Sequence, residues 1–134
     1  MTSPPSRELA VAFTAYALAS LGHYGHNAVH LPLYPNMPHW LTPSQIVLAG
    51  GALVLVGVFG YWLSTSGYRR SGHFVIAFYA ALGFDGLAHY SVAPVTAHTP
   101  TMNMTIWLEC ITAALLLAAT LRDHLRRGPA GAAP

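Results

Sequence analysis

Four long apolar segments in a nearly charge-free sequence constrain what this chain can fold into. Hydrophobic residues make up 54% of its 134 residues and charged residues only 7%. Each segment has about the 20 residues that an α-helix needs to cross a bilayer. We therefore expect an all-α integral membrane protein with four transmembrane helices in an antiparallel bundle, forming one domain over residues 1–134. The predicted spans are residues 9–28, 46–63, 74–92 and 104–121, followed by a flexible tail at residues 128–134.

The positive charges predict how these spans are oriented. The chain has no lysine, and its six arginines lie before the first span, between the second and third, and after the fourth. In a four-span chain these places share one side of the membrane, which the positive-inside rule assigns to the cytoplasm. We expect a protein of a bacterial-type inner membrane with both termini cytoplasmic. Arginines so few and so close to the membrane favour the lipid bilayer as partner and argue against nucleic acid.

Histidines lie at the predicted periplasmic ends of two spans. In the segment GHYGHNAVH, His23, His26 and His30 follow an i, i+3, i+7 spacing, which places them along one face of a helix. In the third span, Asp85 and His89 have an i, i+4 spacing and share a face in the same way. Each of these helices is therefore predicted to carry a polar stripe.

Two carboxylates lie at the same predicted depth as the first of these histidines. From the rise of an α-helix, His23, Asp85 and Glu109 all lie roughly 10 Å below the outer membrane surface. Carboxylates within a span face a bundle interior, because exposure to lipid is costly. That half of the spans contains no Lys or Arg, so a metal ion, a proton or a histidinium must balance the charge.

A transition metal ion accounts for most of these residues together. Imidazole and carboxylate suit zinc, copper, iron and nickel, and helical bundles build such sites from facing helices. With His98, Asp85 and His89 form an Asp-x3-His-x8-His arrangement. It resembles, over these three residues, the Asp-x3-His and distal His of the copper-binding C subunit of particulate methane and ammonia monooxygenases, and so favours copper over iron or zinc. The predicted metal ligands are His23, His26, His30, Asp85, His89, His98 and Glu109.

Methionines on the same side extend this hypothesis. Met37, Met102 and Met104 lie in or beside the predicted outer loops, where thioethers could pass Cu(I) inward from a periplasmic metal donor. The leading hypothesis is a small inner-membrane protein that handles copper or holds a copper or iron centre. No serine has a recognisable base beside it, and the sequence does not decide whether the protein is an enzyme.

Three other interpretations stay open at this point. His23 or His26 could hold haem b together with His89, as paired histidines do in membrane cytochromes. The chain could instead be an accessory structural subunit of a larger membrane complex, with its polar stripes facing a partner helix. Histidine–carboxylate hydrogen bonds could also simply hold the helices together. His73 and His124, beside the arginines, are expected to be ordinary helix-end residues.

Further patterns concern packing. Residues 21–24 (LGHY) and 87–90 (LAHY) end the first and third spans in the same way, which would suit two repeated helical hairpins. Small residues in the second span are predicted to allow close helix contacts; they are Gly50, Gly51, Gly57 and Gly60. Apolar residues at helical spacing in the fourth span are expected to pack inside the bundle; they are Met104, Leu108, Ile111 and Leu115.

Overall fold

The structure is a computed structural model that describes residues 5–126, so the predicted tail at residues 128–134 lies outside it. The described residues form helices and turns and no strand, which confirms the all-helical prediction. The α-helices are α1 (Arg7–Val29), α2 (Pro43–Thr65), α3 (Arg69–Leu82), α4 (His89–Val92) and α5 (Pro100–Arg126). Short 3₁₀ turns occupy Leu31–Leu33, Asp85–Ala88 and Val95–Ala97.

Capping residues determine where the first two helices begin. The hydroxyl of Ser6 accepts a hydrogen bond from the backbone N–H of Leu9 at 3.2 Å. At α2, the Thr42 hydroxyl accepts from the Gln45 N–H at 3.3 Å, and the Gln45 side chain accepts from the Thr42 N–H at 2.8 Å. This reciprocal pair is a capping box, and Pro43 in the first turn has no N–H that would need a partner. Both helices therefore begin at signals that are visible in the sequence.

Three helical segments are long and apolar enough to cross a membrane; they are Pro43–Thr65, Arg69–Val92 and Pro100–Arg126. Helix α1 has 23 residues but is not among them. Its hydropathy is lowered by Ser20, His23 and Asn27, all of which are buried inside the bundle. The predicted first span, residues 9–28, is thus less apolar than the other three, and its polar residues are turned inward.

The four long helices pack as a closed ring, in which α1 and α3 each contact both α2 and α5. Inside the ring lies an apolar core that includes Leu9, Ile76 and Leu116. Tyr16 and Tyr79 pack against each other within it, with ring centroids 4.6 Å apart and ring planes tilted by 49°, and the Tyr16 hydroxyl donates to the Tyr79 carbonyl at 3.2 Å. These two tyrosines join α1 to α3 in the middle of the bundle.

The outer surface of the bundle is strongly apolar. Helix α2 exposes six large side chains, namely Val47, Leu48, Leu55, Val58, Phe59 and Trp62. The prediction that the apolar stripe of α5 packs inside is wrong, because its members are exposed; they are Met104, Leu108, Ile111 and Leu115. The buried face of α5 instead carries Ile106, Glu109 and Ala113. In an apolar helix, the polar residues rather than the apolar ones identify the inner face.

Close contact between helices depends on glycines, as predicted for three positions of α2. A Cβ at Gly57 would overlap the ring of Tyr79, and one at Gly60 would lie 3.0 Å from the backbone nitrogen of Ile76. Gly50 is likewise pressed against a tyrosine ring. The prediction is wrong for Gly51, which has nothing within 4 Å of an added Cβ. Contact with α1 and α3 therefore occurs along one side of α2.

The third predicted span is not one continuous helix. Helix α3 ends at Leu82, and a 3₁₀ turn over Asp85–Ala88 leads into α4. The break lies at Gly83, where an added Cβ would be 2.6 Å from the hydroxyl of Tyr16. Asp85 and His89 therefore do not share the α-helical face that their spacing predicts. The proposed repeat does not extend to the backbone either, since residues 21–24 lie within α1 whereas residues 87–90 straddle the junction of the turn and α4.

Gly72 provides a test of the α2–α3 contact. A Cβ at Gly72 would overlap the backbone of α2 at Ser64 and Gly60. We expect Gly72→Ala to force the helices apart and to lower the free energy of unfolding by about 1–3 kcal/mol, a cost typical of overpacking. Thermal unfolding in detergent micelles measures this, with Gly51→Ala as the matched control in open space. Equal midpoints for the two variants would contradict the described packing.

Candidate metal site at the histidine end

Polar side chains from three helices meet inside one end of the bundle, which we call the histidine end after His23, His89 and His98. Nε2 of His23 lies 3.7 Å from Oε2 of Glu109, and the side chains are 2% and 0% exposed. The ring centroid of His89 is 5.5 Å from that of His23. The structure thus brings together predicted ligands from α1, α4 and α5.

Asn27 connects the two histidines. Its Nδ2 lies 3.1 Å from Nε2 of His23 and 3.3 Å from Nε2 of His89. An amide nitrogen carries two hydrogens, so it can donate one to each ring. Sequence reasoning missed Asn27, although its i+4 spacing from His23 places it on the same helical face.

Neighbouring hydrogen bonds determine which nitrogen of His23 carries a proton. The Thr105 hydroxyl donates to the carbonyl of Met102 at 2.9 Å. Its oxygen is then available to accept from Nδ1–H of His23, at 3.4 Å. Nε2 of His23 therefore carries the lone pair that faces Asn27. Metal-binding histidines have this arrangement, because their second ring nitrogen donates to an oxygen.

His98 is oriented by a similar hydrogen bond. Its Nδ1–H donates to the carbonyl of Pro94 at 3.0 Å, since a carbonyl oxygen can only accept. Nε2 then carries a lone pair, and this buried atom has no hydrogen-bond partner among residues 5–126. The His98 ring centroid is 6.0 Å from that of His89. The connection before α5 thus holds a further imidazole lone pair, that of His98, next to His89.

His26 and His30 lie against Tyr34. Nδ1 of His26 accepts from the Tyr34 hydroxyl at 2.8 Å, and the His26 and His30 ring centroids are 4.5 Å apart. Burial raises the pKa of Tyr34 above its ordinary value, so this hydroxyl stays protonated and can donate. The Tyr34 ring centroid is also 5.0 Å from that of His89. Tyr34 therefore lies between these two predicted ligands and the group formed by Asn27, His23 and His89.

Asp85 and the histidines border a common cavity of about 190 Å³. The Tyr24 hydroxyl donates to Oδ2 of Asp85 at 2.5 Å. Besides these two side chains, the cavity is lined by His23, His89 and Met37. A carboxylate, two imidazoles and a thioether therefore face one small space, even though Asp85 reaches it from a 3₁₀ turn.

Met37 also lines a larger hollow of about 740 Å³ beneath the connection between α1 and α2, together with Asn36 and His39. The other two methionines of the sequence hypothesis lie elsewhere. The sulfur of Met102 accepts from the Thr99 N–H at 3.4 Å, and Met104 is 60% exposed on the outside of α5. Of the three methionines, Met37 is the one that lines the cavity.

Glu109 is a fully buried carboxyl group beside the histidines. In the described part of the chain its polar neighbours include Nε2 of His23, 3.7 Å from Oε2, and the hydroxyl of Ser20. Gly86 separates Glu109 from the cavity; an added Cβ there would lie 3.5 Å from Oε2 of Glu109 and 3.7 Å from Nε2 of His23. Buried carboxylates are protonated, hydrogen-bonded or bound to a cation, because a bare charge is too costly.

The imidazole and carboxylate groups at the histidine end are of the types that bind transition metal ions, but they are not arranged as a coordination site. Within residues 5–126, no three His, Cys, Asp or Glu side chains are grouped so that they could hold a metal ion. The amide of Asn27 lies instead between the two imidazole lone pairs. No protein-family model, curated protein or solved structure matches the chain. The argument about function therefore depends on the side chains themselves.

A second polar cluster lies at the opposite end of the bundle. Nε2 of His73 is 3.1 Å from Oδ2 of Asp123, and both side chains are buried. The Ser6 N–H donates to Oδ1 of Asp123 at 3.2 Å, and Nδ1 of His73 is 3.4 Å from Nδ1 of His124. The expectation that His73 is an ordinary helix-end residue is wrong. Because α5 continues to Arg126, Asp123 lies inside the bundle and joins α1, α3 and α5.

Replacing Asn27 tests the hydrogen bonds at the histidine end. Asn27→Leu keeps a similar volume but leaves two imidazole lone pairs without a donor, and we expect the free energy of unfolding to fall by about 1–3 kcal/mol. His89→Leu should cost less in the Asn27→Leu background than in the parent, because the shared bond is already lost. Denaturant unfolding of the four proteins measures both effects. Strictly additive changes would contradict the Asn27–His89 hydrogen bond.

Proposed function

We propose that this protein binds a transition metal ion at the histidine end, with copper preferred over iron or zinc, and that it handles copper in a bacterial-type inner membrane. The observation that carries the proposal is the cavity of about 190 Å³ that His23, His89, Asp85 and Met37 share. These side chains come from three separate parts of the chain. Imidazole, carboxylate and thioether donors that face one space are a ligand set suited to copper.

The metal ligands in this proposal are Nε2 of His23, Nε2 of His89 and the carboxylate of Asp85, which line the cavity. Glu109 lies behind Gly86, against His23. The Thr105 hydroxyl keeps the lone pair of His23 directed into the site, because it accepts the other ring proton. The carboxyl group of Glu109 is fully buried and lies close to His23. A cation bound at His23 compensates the charge of this group when it is ionised.

Asn27 connects the two imidazole ligands of this proposal. Its amide nitrogen contacts both imidazole lone pairs, and an amide N–H group is a donor that cannot ligate a cation. Binding of an ion by both histidines therefore requires the Asn27 side chain to move aside.

Met37 provides the preference for copper and the access route. It lines both the hollow beneath the α1–α2 connection and the inner cavity, so a thioether is present where the two spaces meet. Thioethers are soft ligands that select Cu(I) over the harder divalent ions. We propose that copper arrives from a periplasmic metal donor and passes His39 and Met37 on its way to His23 and His89.

The membrane location rests on the apolar outer surface and on the arginines. Three helices are long and apolar enough to cross a bilayer, and α1 completes the ring with its polar face inward. With four spans, the arginine-bearing ends share the cytoplasmic side. The histidine end then faces the periplasm, and both termini are cytoplasmic.

Cavity size and the direction of the polar faces favour a metal ion over haem b and over an accessory subunit. A volume of about 190 Å³ is smaller than the roughly 300 Å³ at which pockets for organic ligands begin, which favours a single ion over haem b between His23 and His89. An accessory subunit would turn its polar stripes toward a partner helix. Here His23, His89 and Glu109 are buried within the chain itself.

Metal content tests the proposal directly. We expect elemental mass spectrometry to find about one copper ion per chain in protein purified without chelators. The affinity for copper should fall by about 10–100-fold in Glu109→Gln and in His89→Ala. His124→Ala is the matched control, because His124 is exposed at the opposite end of the bundle. A folded parent protein that takes up no metal would contradict the proposal. Histidine–carboxylate contacts would then serve only to hold the helices together.

Comparing metals tests the role of Met37. We expect Met37→Leu to weaken Cu(I) binding by about tenfold while leaving Zn(II) binding unchanged, because the soft thioether discriminates between the two ions. Competition titrations with a chelator of known affinity measure both constants. Met104→Leu is the control, since that side chain lies on the outer surface. An equal loss for both ions, or none for Cu(I), would contradict the copper preference.

A further inference from the structure

The end of the bundle opposite the histidines carries a groove between the first and last helices. We call it the arginine end, after Arg7, Arg122 and Arg126. The Ser6 N–H donates to Asp123 at 3.2 Å, so the beginning of α1 and the end of α5 lie side by side there. The groove between these two helices has a volume of about 470 Å³.

The walls of this groove are apolar and its mouth is cationic. Val11 and Ala15 of α1 face Leu115 and Ala118 of α5 along its length. Arg7 and Arg122, at adjacent helix ends, also line it. An apolar slot that ends in two guanidinium groups matches a molecule with an acyl chain and a phosphate headgroup.

The two arginines are available for such a ligand. The one acidic residue that lines the groove is Glu8, and its carboxylate lies 3.4 Å from Nη1 of Arg126. Arg7 and Arg122 are exposed and form no ion pair or hydrogen bond with any residue in 5–126. The groove therefore presents net positive charge at the helix ends.

Its length also fits one leaflet of a bilayer. The eight residue steps from Arg7 to Ala15 span about 12 Å along a helix axis. Half of the hydrocarbon core of a bilayer is about 15 Å thick. With the two arginines at headgroup level, the alanines and Leu115 lie at the depth of the upper part of an acyl chain.

We propose that the α1–α5 groove binds one anionic phospholipid of the same leaflet, with its phosphate between Arg7 and Arg122 and an acyl chain along Ala15 and Ala118. This rests on the membrane location given under the proposed function, but not on metal binding. The bound lipid covers the seam between the first and last helices at the arginine end.

Retention of lipid by the detergent-solubilised protein tests the proposal. Purified full-length protein in a neutral detergent is mixed with equal amounts of phosphatidylglycerol and phosphatidylcholine with the same acyl chains, and bound lipid is counted by native mass spectrometry. We expect one phosphatidylglycerol per chain, and a loss of about fivefold in its affinity for each of Arg7→Gln and Arg122→Gln. Inorganic phosphate should not compete, because it lacks the acyl chain.

Arg70→Gln is the charge-matched control, because Arg70 is exposed and lies outside the groove. Ala118→Leu keeps every charge but fills the groove, and it should also reduce retention of phosphatidylglycerol. Equal binding of the two lipids, or an equal effect of Arg70→Gln and Arg122→Gln, would overturn the proposal. Copper content of the same variants separates the two ideas, since it should be unchanged when lipid retention is lost.

Discussion

Polar side chains in an apolar surrounding are tolerated only where other polar groups or a cation compensate them, and this constraint organises the bundle. The outside is covered by large apolar side chains, while Ser20, His23, Asn27 and Glu109 turn inward. Polar groups concentrate at the two ends of the interior, and the paired rings of Tyr16 and Tyr79 occupy its middle. Because the helices meet through polar contacts at both ends, their register along the bundle axis follows from pairs of side chains as well as from apolar packing.

The lone pairs at the histidine end are directed by groups that do not titrate in the range where imidazole does. His23 is oriented by the Thr105 hydroxyl and His98 by the carbonyl of Pro94. A carboxylate in the same place would favour the imidazolium form and would compete with metal binding. A neutral acceptor instead takes one ring N–H and leaves a lone pair on the other nitrogen of the ring. In the proposed metal site, an ion bound at these lone pairs can leave without any change in the two hydrogen bonds.

Much of this architecture follows from simple patterns in the sequence. Matched depth along the helices predicted the neighbourhood of His23 and Glu109, and the number of long helices followed from the apolar segments. Asn27 was missed because a neutral amide is not a typical metal ligand, although its partners show that it organises both histidines. The His73–Asp123 pair was missed because the apolar run stops before α5 does. The break at Gly83 leaves no trace in hydropathy, since it arises from a contact with Tyr16 on another helix.

The hydrogen bond from Ser6 to Asp123 bears on the order in which the protein can be assembled. Its two residues are 117 positions apart, so the contact cannot form until nearly the whole chain has left the ribosome. Helices α2 and α3 are consecutive and can pair much earlier, through Gly60 and Gly72. The polar face of α1 is fully enclosed only after α5 has been synthesised, because Glu109 and Asp123 both belong to α5. Helix α1 is thus synthesised before α2, α3 and α5 but is fully packed only after them, and in the meantime its histidines remain accessible to water or to other chains.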